Sequence, residues 1–324
     1  MYRKLIYPLV LLLVIFSATV VQGETPGTEL VINGDFETGL IGQAPSAPWA
    51  VDVTDTNTIS IVGLQSPFGP SEHHQSVKLE KTSMIGDATL KQTVSFNETD
   101  YFLMSCDVML GGGTEKVSIR LGDILGETDG ISLTLSASEG LKALNSLGTE
   151  EVVFDASKVQ VGKWYRLQAI IPGISGGTYR VTLEEYGGAR LVSDPIGVTK
   201  AIPSPVSIGN VTVDNVSLVI LDPTKVPVME SKTPAPNAVL KRPGSVTITF
   251  DEDVVVKALE GITIKDAMGN SPLSVAVGLA ADNKTVSITW IGDLTDGIYI
   301  VTIPQGAFEN LIGNGNAQTV WSFT

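Results

Sequence analysis

Trp49, Trp164, Arg166 and Tyr186 are the side chains of this chain best suited to holding a ligand. A sugar ring presents an apolar face and a rim of hydroxyls. A site for it needs a flat aromatic surface with a few hydrogen-bonding groups alongside. Trp49 follows Pro45-Ser46-Ala47-Pro48, in a loop where it either lies open or caps a core. Trp164 alternates in phase with Arg166 and Gln168, a mixed face that can line a groove, whereas Tyr165 alternates with Leu167 and reads as core. Tyr186 precedes Gly187-Gly188, the tip of a hairpin. Aromatic residues make up only 6% of the chain, so such a platform is small, and packing is the ordinary rival role for each ring.

A second kind of chemistry is open to the acids. In an extended segment Asn33, Asp35 and Glu37 share one side while Ile32 and Phe36 take the other. Near the end of the same region Asp214 has the parity of Val216, Leu218 and Ile220. If that side is the core, an ionised Asp214 needs a partner or a cation. Calcium accepts carboxylate and carbonyl oxygens in flexible geometry, so Glu37 and Asp214 on neighbouring strands, with backbone carbonyls, would hold it as a clip on the fold. Hydrogen bonds to Thr or Asn groups at the end of a sandwich would serve Asp214 as well. Asp251-Glu252-Asp253 offers either another calcium position or a solvated turn, the commoner fate of clustered charge.

Other constellations exclude themselves. His73 and His74 are the two histidines of the chain, and adjacent strand residues point to opposite faces, so a zinc site lacks ligands. The single Cys106 rules out an intramolecular disulfide. It lies in phase with Phe102, Met104, Val108 and Leu110, opposite Tyr101, Ser105 and Asp107, and reads as an inert buried thiol. No nucleophile elbow, phosphate loop or metalloprotease motif occurs, and acids are too frequent for any one pair to signal glycoside hydrolysis. The chain is expected not to be an enzyme. A formal net charge of −14 disfavours nucleic acid and anionic lipid surfaces as partners.

Strands must position these residues. Val246, Ile248 and Phe250 alternate with Thr247 and Thr249, and Val286, Ile288 and Trp290 repeat the pattern. Asp282-Asn283 and Thr295-Asp296-Gly297 mark turns between them. Together with Gly306-Ala307-Phe308, Gly313-Asn314 and Trp321-Ser322-Phe323-Thr324, these pieces resemble the Ig-like domain of bacterial surface-layer and cell-surface proteins. The resemblance implies a small β-sandwich spacer over residues 228–324 with no catalytic residues.

Upstream, Val117-Ile119-Leu121, Ile131-Leu133-Leu135 and Tyr179-Val181-Leu183 each present an apolar row. The opening Asn33-Gly34-Asp35-Phe36-Glu37 and the closing Val213-Asp214-Asn215-Val216 resemble the jelly-roll carbohydrate-binding modules of families 4, 9 and 22 and related galactose-binding-like sandwiches. That implies neighbouring first and last strands, often joined by a structural calcium, and a polysaccharide or surface glycan as ligand. The stretch Gly162–Leu167 with Gly176–Val181 is similar to a laminin-G or legume-lectin hairpin, so two jelly-roll topologies stay open for this module.

Met1-Tyr2-Arg3-Lys4, the apolar run Leu5–Val21 and the small Gly23 follow the order of a secretory signal peptide. The rival is an uncleaved anchor, since the run approaches membrane-spanning length. Cleavage after Gly23 removes Arg3 and Lys4 but no acid, moving the net charge from −14 to −16. The expectation is thus an all-β chain: signal peptide 1–23, jelly-roll carbohydrate-binding-like module 28–221, linker 222–227 and Ig-like domain 228–324. It would be extracellular or on a bacterial cell surface, with no membrane span after cleavage. Its role would be to bind carbohydrate or, alternatively, to contact other envelope proteins as a structural or adhesive component without a glycan ligand.

Overall fold

A computed structural model describes residues 27–324 apart from 33, 54–56, 69–73, 81–87, 93–100, 113–115, 122–130, 173–176, 199–210, 241–243, 271–274, 281 and 291–293. The apolar N-terminal run, Asn33 and His73 lie outside the described residues. Regular structure among the described residues is β-strand, with one 3-10 turn at Ala156–Lys158. No helix there is long and apolar enough to cross a membrane. The chain divides into two compact units, Met1–Asp222 and Pro223–Thr324.

In chain order the first unit carries β1 (Ala50–Val53), β2 (Thr58–Val62), β3 (Ser76–Glu80), β4 (Ala88–Lys91), β5 (Tyr101–Leu110), β6 (Lys116–Leu121) and β7 (Ile131–Ser136). It continues with β8 (Gly140–Leu144), β9 (Glu150–Phe154), β10 (Trp164–Pro172), β11 (Thr178–Glu185), β12 (Arg190–Val192), β13 (Ile196–Gly197) and β14 (Val211–Leu221). The larger sheet runs β12-β11-β10-β5-β14-β3-β2 with β13 beside β11, a second runs β6-β7-β8-β9, and β1 pairs with β4. Alternation decides which faces meet. Phe102, Met104, Cys106 and Val108 of β5 share one apolar core with Leu167 and Ala169 of β10, Val181 and Leu183 of β11, and Ile119 and Leu133 of the second sheet. Cys106 is 1% exposed, and burial, then Asp107 and Asp214, push its thiol well above the ordinary range. A thiol so held is a packing atom, not a nucleophile.

The opening motif closes this unit against its last strand. The amides of Gly27 and Leu30 donate to the carbonyls of Ile220 and Leu218, and Ile220 and Val216 donate back to Thr28 and Gly34. Glu29 adds a side-chain stitch: its Oε1 accepts the amides of Val31 and Leu218, and its Oε2 accepts the Ser217 hydroxyl. Gly34 has no substitute here, because a Cβ would stand 1.7 Å from the Val216 carbonyl oxygen. Phe36 adopts a left-handed φ of 59° and is fully buried, its ring 5.4 Å from that of Trp49. Gly34 and Phe36 of the opening motif therefore serve to close the unit before anything else.

The second unit carries β15 (Met229–Thr233), β16 (Ser245–Phe250), β17 (Val254–Val256), β18 (Thr263–Asp266) and β19 (Val275–Leu279). Then follow β20 (Thr285–Trp290), β21 (Tyr299–Ile303), β22 (Phe308–Asn310) and β23 (Thr319–Phe323). One sheet runs β15-β16-β20-β19, another β18-β21-β23, and β17 pairs with β22. Val246, Ile248 and Phe250 point inward as their alternation predicts, and meet Val286, Ile288, Val301 and Phe308. Phe250 packs 5.3 Å from Phe308, and Tyr299 stacks 5.8 Å from Phe323. Asp251-Glu252-Asp253 sits in the turn after β16. Asp251 Oδ1 accepts the Val228 amide, and Lys225 Nζ lies 3.3 Å from Asp251 Oδ2 and 3.8 Å from Glu252 Oε2. A lysine thus takes up charge there.

Candidate ligand-binding site

The site grows from an irregularity in β14. That strand pairs with β5 as Asp214↔Asp107 and then Ser217↔Ser105, so it carries one extra residue. The extra residue is absorbed by Asn215 in a left-handed conformation, φ 46°. Val213 on one side of this bulge and Val216, Leu218 and Ile220 on the other are all core residues. The parity that groups Asp214 with Val216 in the sequence is thereby broken. Asp214 turns to the face of the sheet opposite the core, in a row with Asp107 of β5 and Arg166 of β10.

That row is buried and closely bonded. Asp107 and Asp214 are each 0% exposed. Arg166 grips Asp107 with both ends of its fork, Nε to Oδ1 at 2.8 Å and Nη2 to Oδ2 at 3.0 Å. Asp107 Oδ2 also accepts Asn215 Nδ2 at 2.7 Å and the Ser66 hydroxyl at 2.8 Å. Asp214 accepts the amide of Ser66 on Oδ2 at 2.9 Å and that of Asn215 on Oδ1 at 2.8 Å. Burial pushes its carboxyl up to about 7; the amides of Ser66 and Asn215 pull against this, and Asp107 and Glu37 add to it. Two carboxylates side by side with one guanidinium leave an excess of negative charge, which a half-neutral Asp214 relieves.

Ser66 brings a loop with it. Its hydroxyl accepts the Phe68 amide at 3.2 Å, and the Phe68 carbonyl accepts Arg166 Nη2 at 3.3 Å. The Arg166 guanidinium lies 4.7 Å over the Phe68 ring, and Tyr186 meets that ring edge to face at 5.5 Å. Tyr186 is 56% exposed, and its amide donates to the Trp164 carbonyl at 3.0 Å. Arg166 and Tyr186 therefore meet at Phe68, while Trp164, only 9% exposed, adjoins them through its backbone carbonyl. Beside them the same face continues as a hydrogen-bonding row, with Gln168 Oε1 accepting Arg190 Nη2 at 2.6 Å and the Thr182 hydroxyl at 3.4 Å.

One expected member stands elsewhere. Trp49 is 4% exposed and belongs to the core with Phe36, so it caps the sandwich and offers no open face. Glu37 lies in a turn rather than on a strand, close enough for its charge to help raise Asp214, and its Oε1 accepts the amides of His74 and Gln75, both at 2.7 Å. Among the described residues no three His, Cys, Asp or Glu side chains are grouped to hold a metal ion. A separate cavity of about 190 Å³ lies by the 3-10 turn, between Lys158, Tyr165, Leu183, Glu185 and Leu191. It is smaller than the pockets that ordinarily enclose organic ligands.

Phe68, Ser66, Asp107 and Asn215 were not legible as site residues. Asp107 did carry a signal: an acid at mid-strand, opposite a run of apolar neighbours, needs a partner in the fold. Phe68 carried none, because only the loop that Ser66 anchors brings it over Arg166.

Comparison with known proteins decides the second unit. Residues 223–324 match the bacterial Ig-like domain family. The matched region begins at Pro223. None of the curated proteins compared matches the chain. Among solved structures, a scytalido-glutamic peptidase with a peptide-based transition-state analogue aligns over 59% of this chain and 92% of its own. The identity is 8% and the TM-score 0.22, too low to carry an inference about fold or activity.

Proposed function

We propose that this is an exported, non-catalytic bacterial surface protein whose first unit binds a glycan at the corner formed by Phe68, Trp164, Arg166 and Tyr186, while the Ig-like domain serves as spacer. The observation that supports it is the exposed Tyr186 ring set at right angles to Phe68, beside a face of fixed hydrogen-bonding side chains. An aromatic floor and wall with polar neighbours is what one sugar ring needs. Because Asp107 neutralises Arg166, the corner favours an uncharged sugar over a uronic or sulfated one. Calcium on Glu37 and Asp214, with carbonyl oxygens, belongs to the same reading as a fold clip that takes up the negative charge otherwise relieved by a proton.

The test is retention of the protein on a panel of insoluble and soluble polysaccharides, with and without a chelator. Binding should weaken about ten-fold in Tyr186→Ala, the worth of one stacked ring. A melting temperature that chelator leaves unchanged removes the calcium clip, since an ion specific to the native state must stabilise it. If no polysaccharide retains the protein, the weight passes to the structural or adhesive reading. That reading has its own support in Ile298, Ile300 and Val320 of the Ig-like domain, which are 50%, 37% and 54% exposed near the neighbouring strands β21 and β23.

A further inference from the structure

Pro223–Val226, within the stretch read above as a linker, is fastened to the Ig-like domain by side chains. These four residues are exposed and belong to no strand. Yet Asn314 Nδ2 donates to the carbonyls of Pro223 at 2.7 Å and Lys225 at 2.8 Å. Asn310 Nδ2 donates to the same Lys225 carbonyl at 2.9 Å. The Lys225 ammonium reaches Asp251 and Glu252, and Glu252 Oε1 accepts Asn310 Nδ2 at 3.3 Å, so both grips share a carboxylate.

The asparagines are themselves held in place. Asn310 ends β22 and is 2% exposed. Its Oδ1 accepts the Asn314 amide at 2.9 Å, and its own amide donates to the Asn314 carbonyl at 2.9 Å. At the root of the segment Pro227 is buried. Val228 donates its amide to Asp251 Oδ1, and its carbonyl accepts the Asp251 amide. Pro223 and Pro227 have no amide to offer a ladder, so side chains rather than sheet pairing hold the residues between them.

We infer that Pro223–Val226 is a releasable clasp. Seated on Asn310 and Asn314, it stiffens the point where the chain enters the Ig-like domain, and it opens without unfolding the sandwich. Magnitudes separate the two events. A neutral hydrogen bond shifts an equilibrium by about five-fold once water is counted, and an exposed ion pair by less. Three amide bonds and one such pair therefore favour the seated form by a factor of roughly 10²–10³. A whole domain is held against unfolding by a factor of about 10⁴ or more, so the clasp lies at the low-stability end of the molecule. Release frees about 13 Å of extended chain. The use of that slack rests on the spacer role proposed above, whereas the clasp itself does not.

The test is the backbone order parameters of Thr224, Lys225 and Val226, from nitrogen relaxation of the purified protein, beside those of β16 and β20. In wild type the three should equal the strands at about 0.85, where a free linker falls below about 0.6. Asn314→Ala/Lys225→Gln removes two of the three amide bonds and the ion pair, and should bring them to about 0.6 or below. Asn314→Asp/Lys225→Gln keeps the size of the side chain, deletes the donor and should match it. In both variants the strand values and the melting transition of the Ig-like domain should not move. Wild-type values already below about 0.6 mean that the strap is never seated, and overturn the inference. Variant values that stay at the strand level overturn it too, because Asn314 is then not the fastening. Loosening that comes only together with loosening of β16 and β20 is the third contrary result, since the clasp then cannot open alone.

Discussion

The two units close on themselves by opposite means. The first puts Asp107, Asp214 and Arg166 in a buried row and ties a loop to them, while the Ig-like domain closes on rings, Phe250 against Phe308 and Tyr299 against Phe323. Among its acids, Asp266 at the end of β18 and Asp282 in the turn before β20 cap neighbouring amides. Apolar closure is strong and fixes register only through which face of each strand is buried. A buried ionic row costs desolvation but tolerates only one pairing of β5, β10 and β14. The proposed ligand corner stands on the costly arrangement, as expected where Arg166 must hold Phe68 in a fixed pose.

The contrast breaks most sharply at Gly34. Gly34→Ala drives a methyl group into the Val216 carbonyl, at 1.7 Å, and the bond that fixes β14 beside the opening segment cannot form. The expected loss exceeds about 4 kcal/mol, beyond the ordinary range of single substitutions. Calorimetry should show the transition of the first unit lost or sharply lowered and that of the Ig-like domain in place. Equal lowering of both would contradict the division into independently closed units. Next in size is Arg166→Met, which strands Asp107 in a buried site. It should cost about 3–5 kcal/mol in urea unfolding of the first unit. Asp107→Asn combined with Arg166→Met should recover much of that loss, because the charge to be compensated is gone.

Proton linkage separates the units by sign. Asp214, held at about 7 in the fold against 3.8 for an ordinary aspartate, binds its proton more tightly when folded. Below pH 4 it is protonated in both states and contributes nothing to the pH dependence. Between pH 4 and 7 the unfolded chain ionises first, so stability falls as pH rises, by up to roughly 4 kcal/mol above pH 7. Asp214→Asn keeps an acceptor for the Ser66 amide and removes the titration. The variant should match wild type near pH 4 and exceed it by about 2–4 kcal/mol at pH 8. Added calcium would sharpen the comparison: if Asp214 binds the ion, wild type gains at pH 8 and the asparagine variant does not.

Much of this fold was readable because alternation is a local signal. The inward row of β16 and the core phase of Cys106 needed nothing beyond period two. Asp214 shows where that reasoning stops. One extra residue at Asn215 inverts every side chain before it relative to those after it, and nothing in Val-Asp-Asn-Val announces a bulge until the register with β5 is known. Trp49 is hidden for another reason: a proline-rich loop reads as surface, yet its ring folds back onto Phe36. Of the candidate site, Trp164, Arg166 and Tyr186 were visible as residue types, but the meeting of Arg166 and Tyr186 at Phe68 depends on a loop placed by two distant carboxylates.

The smallest effect tests the cheap side of the comparison. Asp282 opens the turn before β20, where its Oδ1 accepts the amides of Lys284 at 3.0 Å and Thr285 at 2.8 Å and its Oδ2 accepts the Thr285 hydroxyl at 2.7 Å. Slight burial pulls its carboxyl up, but the bonds from Thr285 and Lys284 prevail and hold it below the usual range. A depressed carboxylate stabilises the fold above the unfolded value of about 4, and that contribution is lost as pH falls through the folded value. Asp282→Ala should therefore cost about 1 kcal/mol at pH 7, the ordinary worth of a side-chain cap, with the deficit shrinking toward pH 3. Its sign is the reverse of Asp214→Asn, and it belongs to the other calorimetric transition. Should both substitutions move the same transition in the same direction, the two units share one electrostatic fate and the distinction between ionic and apolar closure fails.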